Sequence, residues 1–417
     1  MEKLKILFIT DNFPPETNAP ATRTFEHIRS WIQSDNQLEV HVLTCFPNFP
    51  IGRVFNGYKN KLYQYETLLG INIHRVWSYI SANSGFIKRT LDFLSFAFSS
   101  LFFAIFKIPK CDIVIATSPQ FFTLLSGLFY AKLFGKFYIV EIRDLWPKSI
   151  FDLGMLSNNL IQRLFFQLER YIYEKCNLII TVTPPFKDYI TNLGINNEKI
   201  FVISNGFSDS FINSPRKSIL KFSDQNAIRI GYIGTLGEAH ALENILDGFK
   251  LINGLNERIE LHFIGEGSEK QTLIHKVESE KIQNVFFHGA IVREMISGTI
   301  QDIDFTLAHL RDIDAFKTVV PSKIFESIAI GKPVLMGSKG YSAELVKNLG
   351  IGVVFEPESP EAFFQIVKGL VEGKYDVRKM KINCESSQNK YRRDKLALKM
   401  LMNIKSQYKK HKMLKEK

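Results

Sequence analysis

Short apolar runs, each followed by a loop and then by an amphipathic stretch of helical period, recur along this chain, and the series begins twice. Residues 5–10 (KILFIT), 39–44 (EVHVLT), 112–117 (DIVIAT) and 178–183 (LIITVT) read as buried strands, with helical patterns such as 21–33 and 160–176 between them. A polar, irregular stretch at 214–227 interrupts the series. It restarts at 229–233 (RIGYI) and continues through 259–264, 285–288, 303–310, 334–336 and 350–355. Strands that alternate with helices build parallel sheets covered on both faces. The double start therefore predicts an α/β chain of two doubly wound domains. The expected division is 1–210 for the first domain, 211–226 for a linker, 227–385 for the second, and 386–417 for a terminal helix with a basic tail. With 417 residues, 45% of them hydrophobic, there is enough apolar material for two cores.

Charge narrows the partners. A net charge of +11 favours an anionic ligand: a nucleotide diphosphate, an anionic lipid surface or a nucleic acid. No helix-turn-helix, RNP or zinc-finger pattern is found, so nucleic acid is set aside. Cys45, Cys111, Cys176 and Cys384 have no paired spacing and read as reduced core thiols of a cytoplasmic protein. The opening MEKLKILFIT runs directly into a strand and reads as no secretory signal.

Two stretches carry chemistry on their own residues. In PSKIFESIAIGKPV (321–334), Ile324, Phe325, Ile328 and Ala329 form a helical stripe that Pro321 and Ser322 open and Gly331 and Pro333 close. Lys323 and Glu326 lie off that stripe near the helix start. There, lysine suits a phosphate and glutamate a ribose diol. Upstream, the turn 234–240 (GTLGEAH) follows a strand, and its glycines allow backbone close to a phosphate. The second stretch is 86–110, FIKRTLDFLSFAFSSLFFAIFKIPK. Its uncharged run 93–106 is short for a membrane span, and Lys88, Arg89, Lys107 and Lys110 flank it. It reads either as a core helix or as a helix lying on a membrane surface.

PSKIFE followed by GKPV resembles the nucleotide-sugar segment of retaining family 4 glycosyltransferases, and RDLWP (143–147) resembles the bacterial subgroup that builds O-antigen and capsule repeats with N-acetylated amino sugars, of N-acetylfucosamine type. The resemblance implies the GT-B fold, in which two Rossmann-like domains face a central cleft and the last helix crosses back to the first domain. It implies a UDP-sugar donor bound by Gly234, Thr235, Arg293, Lys317, Thr318, Ser322, Lys323 and Glu326. Relatives place an arginine and a lysine on the 234–240 turn. Thr235 and His240 stand there instead, so Lys323, Lys317 and Arg293 become the expected cations. A glutamate of the family is replaced by Thr318. For the acceptor the resemblance points to Asn18, Arg23 and Arg143; for catalysis, to Arg143, Asp144 and Lys323.

The function implied is transfer of an N-acetylated amino sugar from a UDP-sugar to a polyprenyl-diphosphate-linked saccharide at the cytoplasmic face of the plasma membrane, in O-antigen or capsule synthesis. No Asp-x-Asp stands at a strand end facing the cleft, so catalysis is expected to need no metal or other cofactor. Two alternatives remain. One is a UDP-sugar epimerase of the same fold. The other is a non-catalytic, membrane-associated nucleotide-sugar-binding subunit.

Overall fold

The computed structural model describes residues 3–81, 86–152, 154, 158–213, 217–220, 227–254 and 259–416. It divides into two compact units, residues 1–205 with 393–417, and 206–392. In the first, β1 (Leu4–Ile9), α1 (Ala19–Ser34), β2 (Leu38–Cys45), β3 (Tyr63–Leu68), β4 (Ile71–Val76), α2 (Phe86–Lys107), β5 (Ile113–Thr117) and α3 (Phe121–Phe134) follow in chain order. They continue as β6 (Phe137–Ile142), α4 (Lys148–Asp152), α5 (Asn159–Lys175), β7 (Leu178–Thr181), α6 (Pro184–Asn192) and β8 (Ile200–Val202). Among the described residues the sheet has eight strands in the order β3-β4-β2-β1-β5-β6-β7-β8. All its pairings are parallel except β3 with β4.

The apolar runs become strands because both faces are covered; every residue of β5 and β6 is buried. The unforeseen strand is β3, YQYETL. It lies half-exposed at the sheet's edge and therefore carries no apolar run to betray it. In α1, the Asn18 side chain accepts the Ala21 N–H at 2.9 Å and Pro20 sits in the first turn, a strong helix start. Ile28 and Trp31 are buried, with Phe25 and Ile32 packed beside them.

The Phe-rich stretch is one helix, α2. It turns Phe96, Ser100 and Ala104 inward and leaves Phe98, Phe102 and Phe106 exposed, so it is at once a core helix and an apolar surface. By length and composition Lys88–Lys107 is apolar enough to cross a membrane, longer than the uncharged run alone suggests. In α5, the inward set expected from the sequence included Ile161 and Leu164, yet both are exposed. Ile172, of the same expected set, is buried, joined by Glu169 and Tyr173; Glu169 is buried because it accepts from the Tyr173 and Tyr189 hydroxyls at 3.0 Å each.

The second unit opens with α7 (Asp209–Ile212), which occupies the start of the expected linker; residues 214–216 and 221–226 of that linker lie outside the described residues. There follow β9 (Ile228–Ile233), α8 (Leu242–Lys250), β10 (Ile259–Ile264), α9 (Lys270–Ser279), β11 (Val285–His288), α10 (Arg293–Asp302) and β12 (Phe305–His309). The unit closes with α11 (Ser322–Ile330), β13 (Val334–Gly337), α12 (Tyr341–Leu349), β14 (Gly352–Phe355), α13 (Pro360–Val371) and α14 (Val377–Tyr391). Its described strands form one parallel sheet, β11-β10-β9-β12-β13-β14, which is the doubly wound order 3-2-1-4-5-6.

The last helix, α15 (Arg393–Lys415), belongs to the first unit. Leu396, Ala397, Met400, Leu401 and Ile404 enter its core against α1, and the Trp31 indole donates to the Ala397 carbonyl at 2.7 Å. The basic tail continues the helix as far as Lys415. The helix continues because Tyr408 and His411 stack edge-on against Phe137.

Candidate functional site

In a doubly wound sheet, the crevice for a ligand opens at the carboxyl ends of the two strands where the winding reverses. In the second unit these are β9 and β12. The turn after β9 is held against the turn after β10 by backbone hydrogen bonds, Gly234 N–H to Ile264 O and Leu236 N–H to Glu266 O, both 2.9 Å. Only glycine fits where they meet. Gly265 has φ 147°, and a Cβ on it would lie 1.9 Å from the Gly234 carbonyl. Gly234, at φ 144°, leaves room for another group: a Cβ there would come within 3.2 Å of Lys323 Nζ.

Lys323 is the centre of this arrangement. From the first turn of α11, its ammonium lies 3.5 Å from the centroid of the Tyr232 ring and has no hydrogen-bond acceptor. Burial pushes its pKa down to about 7, only partly opposed by Glu326 one turn along. Tyr232 is fixed by its hydroxyl, which donates to the Thr235 carbonyl at 2.7 Å. His240 and His309 clamp β9's turn to β12's end: Nδ1 of each reaches the other's carbonyl, at 3.0 and 2.6 Å. Burial is the main cause holding both neutral, with His240 lowered to about 4. A desolvated cation above aromatic and neutral groups, beside the open N–H groups of a helix start, is built to meet an anion.

The other expected donor residues divide. Ser322 is exposed at the first position of α11, and Thr318 and Glu326 are half-buried on either side of it. Lys317 is not a free cation, because its own loop takes it up through Asp314 at 2.7 Å and Asp312 at 3.8 Å. Arg293 opens α10 behind the edge strand β11, while Lys323 follows the central strand β12. The sequence reading missed Tyr232. Its signal was the one aromatic of strand β9, two residues before the glycine turn. Among the described residues no three His, Cys, Asp or Glu side chains gather as metal ligands.

In the first unit the winding reverses between β1 and β5. The loops after those strands, with residues 48–52 and the first two turns of α2, line a cavity of about 160 Å³. Asn18 lines it while capping α1. Glu16 ties the wall together by accepting the Asn48 and Phe49 N–H groups at 2.8 Å, and burial pushes it up to about 7.

Of the two arginines expected to touch an acceptor, Arg23 is spent on the protein and Arg143 is spent in all but one nitrogen. Arg23 is buried; its Nε pairs with Glu141 at 3.0 Å, and its other nitrogens donate to Ser204 O, Asn205 Oδ1 and Ile203 O. Arg143 donates to Ser118 O at 2.8 Å, Pro20 O at 3.2 Å and Thr24 Oγ1 at 3.3 Å, which stitches α1 to the β5 loop. Its remaining Nη2 is buried without a partner. Asp144 is half-buried beside Ser149, and burial raises its pKa. Asp92 also lines the cavity and was missed. It is the single acidic residue in α2, an isolation visible in the sequence.

Two doubly wound units with this site define a GT-B protein of glycosyltransferase type. Residues 23–211 match the family described as Glycosyltransferase Family 4, and residues 216–386 match Glycosyl transferases group 1. The chain carries one domain of each type. Among solved structures it is similar to sucrose-phosphate synthase from Thermosynechococcus elongatus, at 12% identity and TM-score 0.74 over 97% of this chain and 99% of that one. Anabaena HepE in complex with UDP matches at 14% identity and TM-score 0.66, covering 97% of this chain and 100% of that one. The lipopolysaccharide outer core galactosyltransferase WaaB matches at 14% and 0.62, covering 96% and 99%. These likenesses show the fold. No curated protein matches the sequence.

Proposed function

We propose that this chain is a retaining glycosyltransferase that moves an N-acetylated amino sugar from a UDP-sugar to a polyprenyl-diphosphate-linked saccharide, on the inner face of the plasma membrane, in the synthesis of O-antigen or capsule. The observation that carries the donor half is Lys323, a buried ammonium with no acceptor, at the strand ends where the second unit's winding reverses. A diphosphate supplies the missing acceptor, and the α11 N-terminus adds its partial positive charge. Glu326 stands one turn further along for the ribose diol. The UDP held by the HepE structure supports the choice of nucleotide.

In this mechanism the charge that grows on the leaving diphosphate is met by Lys323 and by the backbone N–H groups of the helix start, so no metal ion is required. The acceptor hydroxyl attacks from the face the diphosphate leaves and gives its proton to a departing phosphate oxygen. No enzyme nucleophile is needed. The amino-sugar donor and the surface-polysaccharide setting rest on the resemblance of RDLWP to that subgroup. The membrane setting is supported by exposed Phe98, Phe102 and Phe106 between basic ends.

Calorimetric titration of the purified chain with UDP, with and without EDTA, tests the donor site. Binding that survives EDTA and disappears in Glu326→Ala is expected. Unchanged UDP affinity in Glu326→Ala, or no binding by the wild type, sinks the assignment.

A further inference from the structure

The polar cavity of the first unit and an apolar groove beyond it share both of their walls. On α2, Arg89, Asp92 and Phe93 line the cavity, and Leu94, Ala97, Phe98 and Leu101 line the groove. Residues 89, 93, 97 and 101 are four apart, so they form one row along the helix, about 18 Å from end to end. The opposite wall behaves alike: Pro119 and Gln120 face the cavity, and Phe122, Leu125 and Phe129 of α3 continue along the groove.

The two halves differ sharply in chemistry. The cavity presents the Arg89 cation and the Asp11 carboxylate, whose Oδ1 is buried without a partner; the amides beside them are partly engaged already, Asn18 with Asn12 and the Ala21 N–H, Asn48 with the Phe46 carbonyl and Gln120 with the Thr123 hydroxyl. Amides and carboxylates suit sugar hydroxyls, and arginine suits a phosphate. The groove, about 130 Å³, has Ser126 as its one polar residue, and that hydroxyl is already bonded to Ser100 and the Thr123 carbonyl. The groove offers a polar ligand no unused hydrogen-bonding group, whereas the cavity, although Phe49, Pro50, Phe93 and Pro119 also line it, holds the charged side chains.

We infer that cavity and groove are one site for an amphiphile, with a saccharide–phosphate head in the cavity and the first segment of its hydrocarbon chain between α2 and α3. This rests on the transferase reading and specifies where the lipid-linked acceptor of that reading is held. Beyond the groove, exposed Phe102 and Phe106, with Lys107 and Lys110 beside them, lead the chain toward an anionic bilayer. Asp92 stands where head meets tail. Its burial, with Asp11 and Glu16 nearby, pushes its pKa up to about 7.

The test uses the full chain and three probes: farnesyl-diphospho-N-acetylglucosamine, the same head on a methyl ester, and farnesol. The tailed probe should bind at least about tenfold more tightly than the methyl ester or farnesol. Ala97→Trp, which fills the groove, should remove that increment and leave the methyl probe's affinity unchanged; Leu125→Trp does the same from the other wall. Asp92→Asn should weaken both head-bearing probes equally. Equal binding of tailed and methyl probes by the wild type overturns the inference, as does an increment that survives both tryptophan variants. An increment that survives while co-sedimentation with phosphatidylglycerol vesicles is lost assigns the groove to the bilayer itself, and also overturns it. UDP titration of the same proteins keeps the two readings apart: intact UDP binding with no tail increment defeats this inference alone.

Discussion

Each unit buries basic side chains at the carboxyl edge of its sheet and puts them to opposite uses. In the first, Arg23 and Arg143 give their hydrogen bonds to the protein's own carbonyls, to Thr24 and to Glu141, and the charged groups lining the cavity are Arg89 and the carboxylates Asp11 and Asp92. In the second, Lys323 receives a π face and no acceptor. Burial drives both exceptional groups to about 7, Asp92 upward and Lys323 downward. The lesson is that a buried cation marks a ligand site by what it lacks. Arg23, whose three nitrogens all have partners, is architecture even though a motif points to it; Arg143 differs in its one unpartnered Nη2.

The contrast breaks first if Arg23 is dispensable. Arg23→Ala strands Glu141 in the core and should destabilise the chain by about 3–5 kcal/mol, read in a denaturant melt, with UDP affinity unchanged in whatever remains folded. Lys323→Ala should do the reverse. UDP binding weakens roughly 10- to 100-fold, the worth of a charge-assisted contact, and the melt is unchanged or slightly improved. A large loss of stability in Lys323→Ala would erase the distinction.

Titration sharpens the same point. With a free pKa of about 7, Lys323 is mostly neutral above that pH, and binding a diphosphate must draw in a proton. UDP affinity should therefore fall from pH 7 to pH 9, roughly tenfold per unit at its steepest, where the nucleotide's own phosphate no longer titrates. Glu326, Tyr232, His240 and His309 face this ammonium, and the two histidines stay neutral throughout that window. A flat profile in Lys323→Arg beside a sloping wild type would confirm the source.

The smallest expected effect is Asp92→Asn, which should stabilise the chain at pH 8 by about 1 kcal/mol, as relief of a strained functional site does. The sign follows from protons. A carboxyl whose folded pKa is raised holds its proton longer in the native state, so its contribution to stability falls as the pH rises from about 4 to about 7. The amide has no such slope.

The recurrence of apolar runs made the two parallel sheets legible, because strands covered on both faces are mostly apolar; residues 259–264 and 285–288 are strands to the residue, the first despite its buried Glu260 and His262. The edge strand β3 was not legible, since half its surface is solvated. Lys323 and Glu326 stood out because helix punctuation fixes their place on a turn. The roles of Arg23 and Arg143 were hidden, because their partners are backbone carbonyls of residues 203–204 and of Pro20 and Ser118, far off in sequence or contributed by loops. A long-range contact to a carbonyl leaves no mark on either segment's composition.

The placement of α15 imposes an order on biosynthesis. Trp31 finds its carbonyl partner at Ala397, and the core around α1 is completed by residues 396–404. A ribosome therefore releases the whole second unit before it delivers the piece that finishes the first. Until then, residues 1–205 wait with an apolar face uncovered, a nascent substrate for chaperones, while the later-made unit already has every strand it needs.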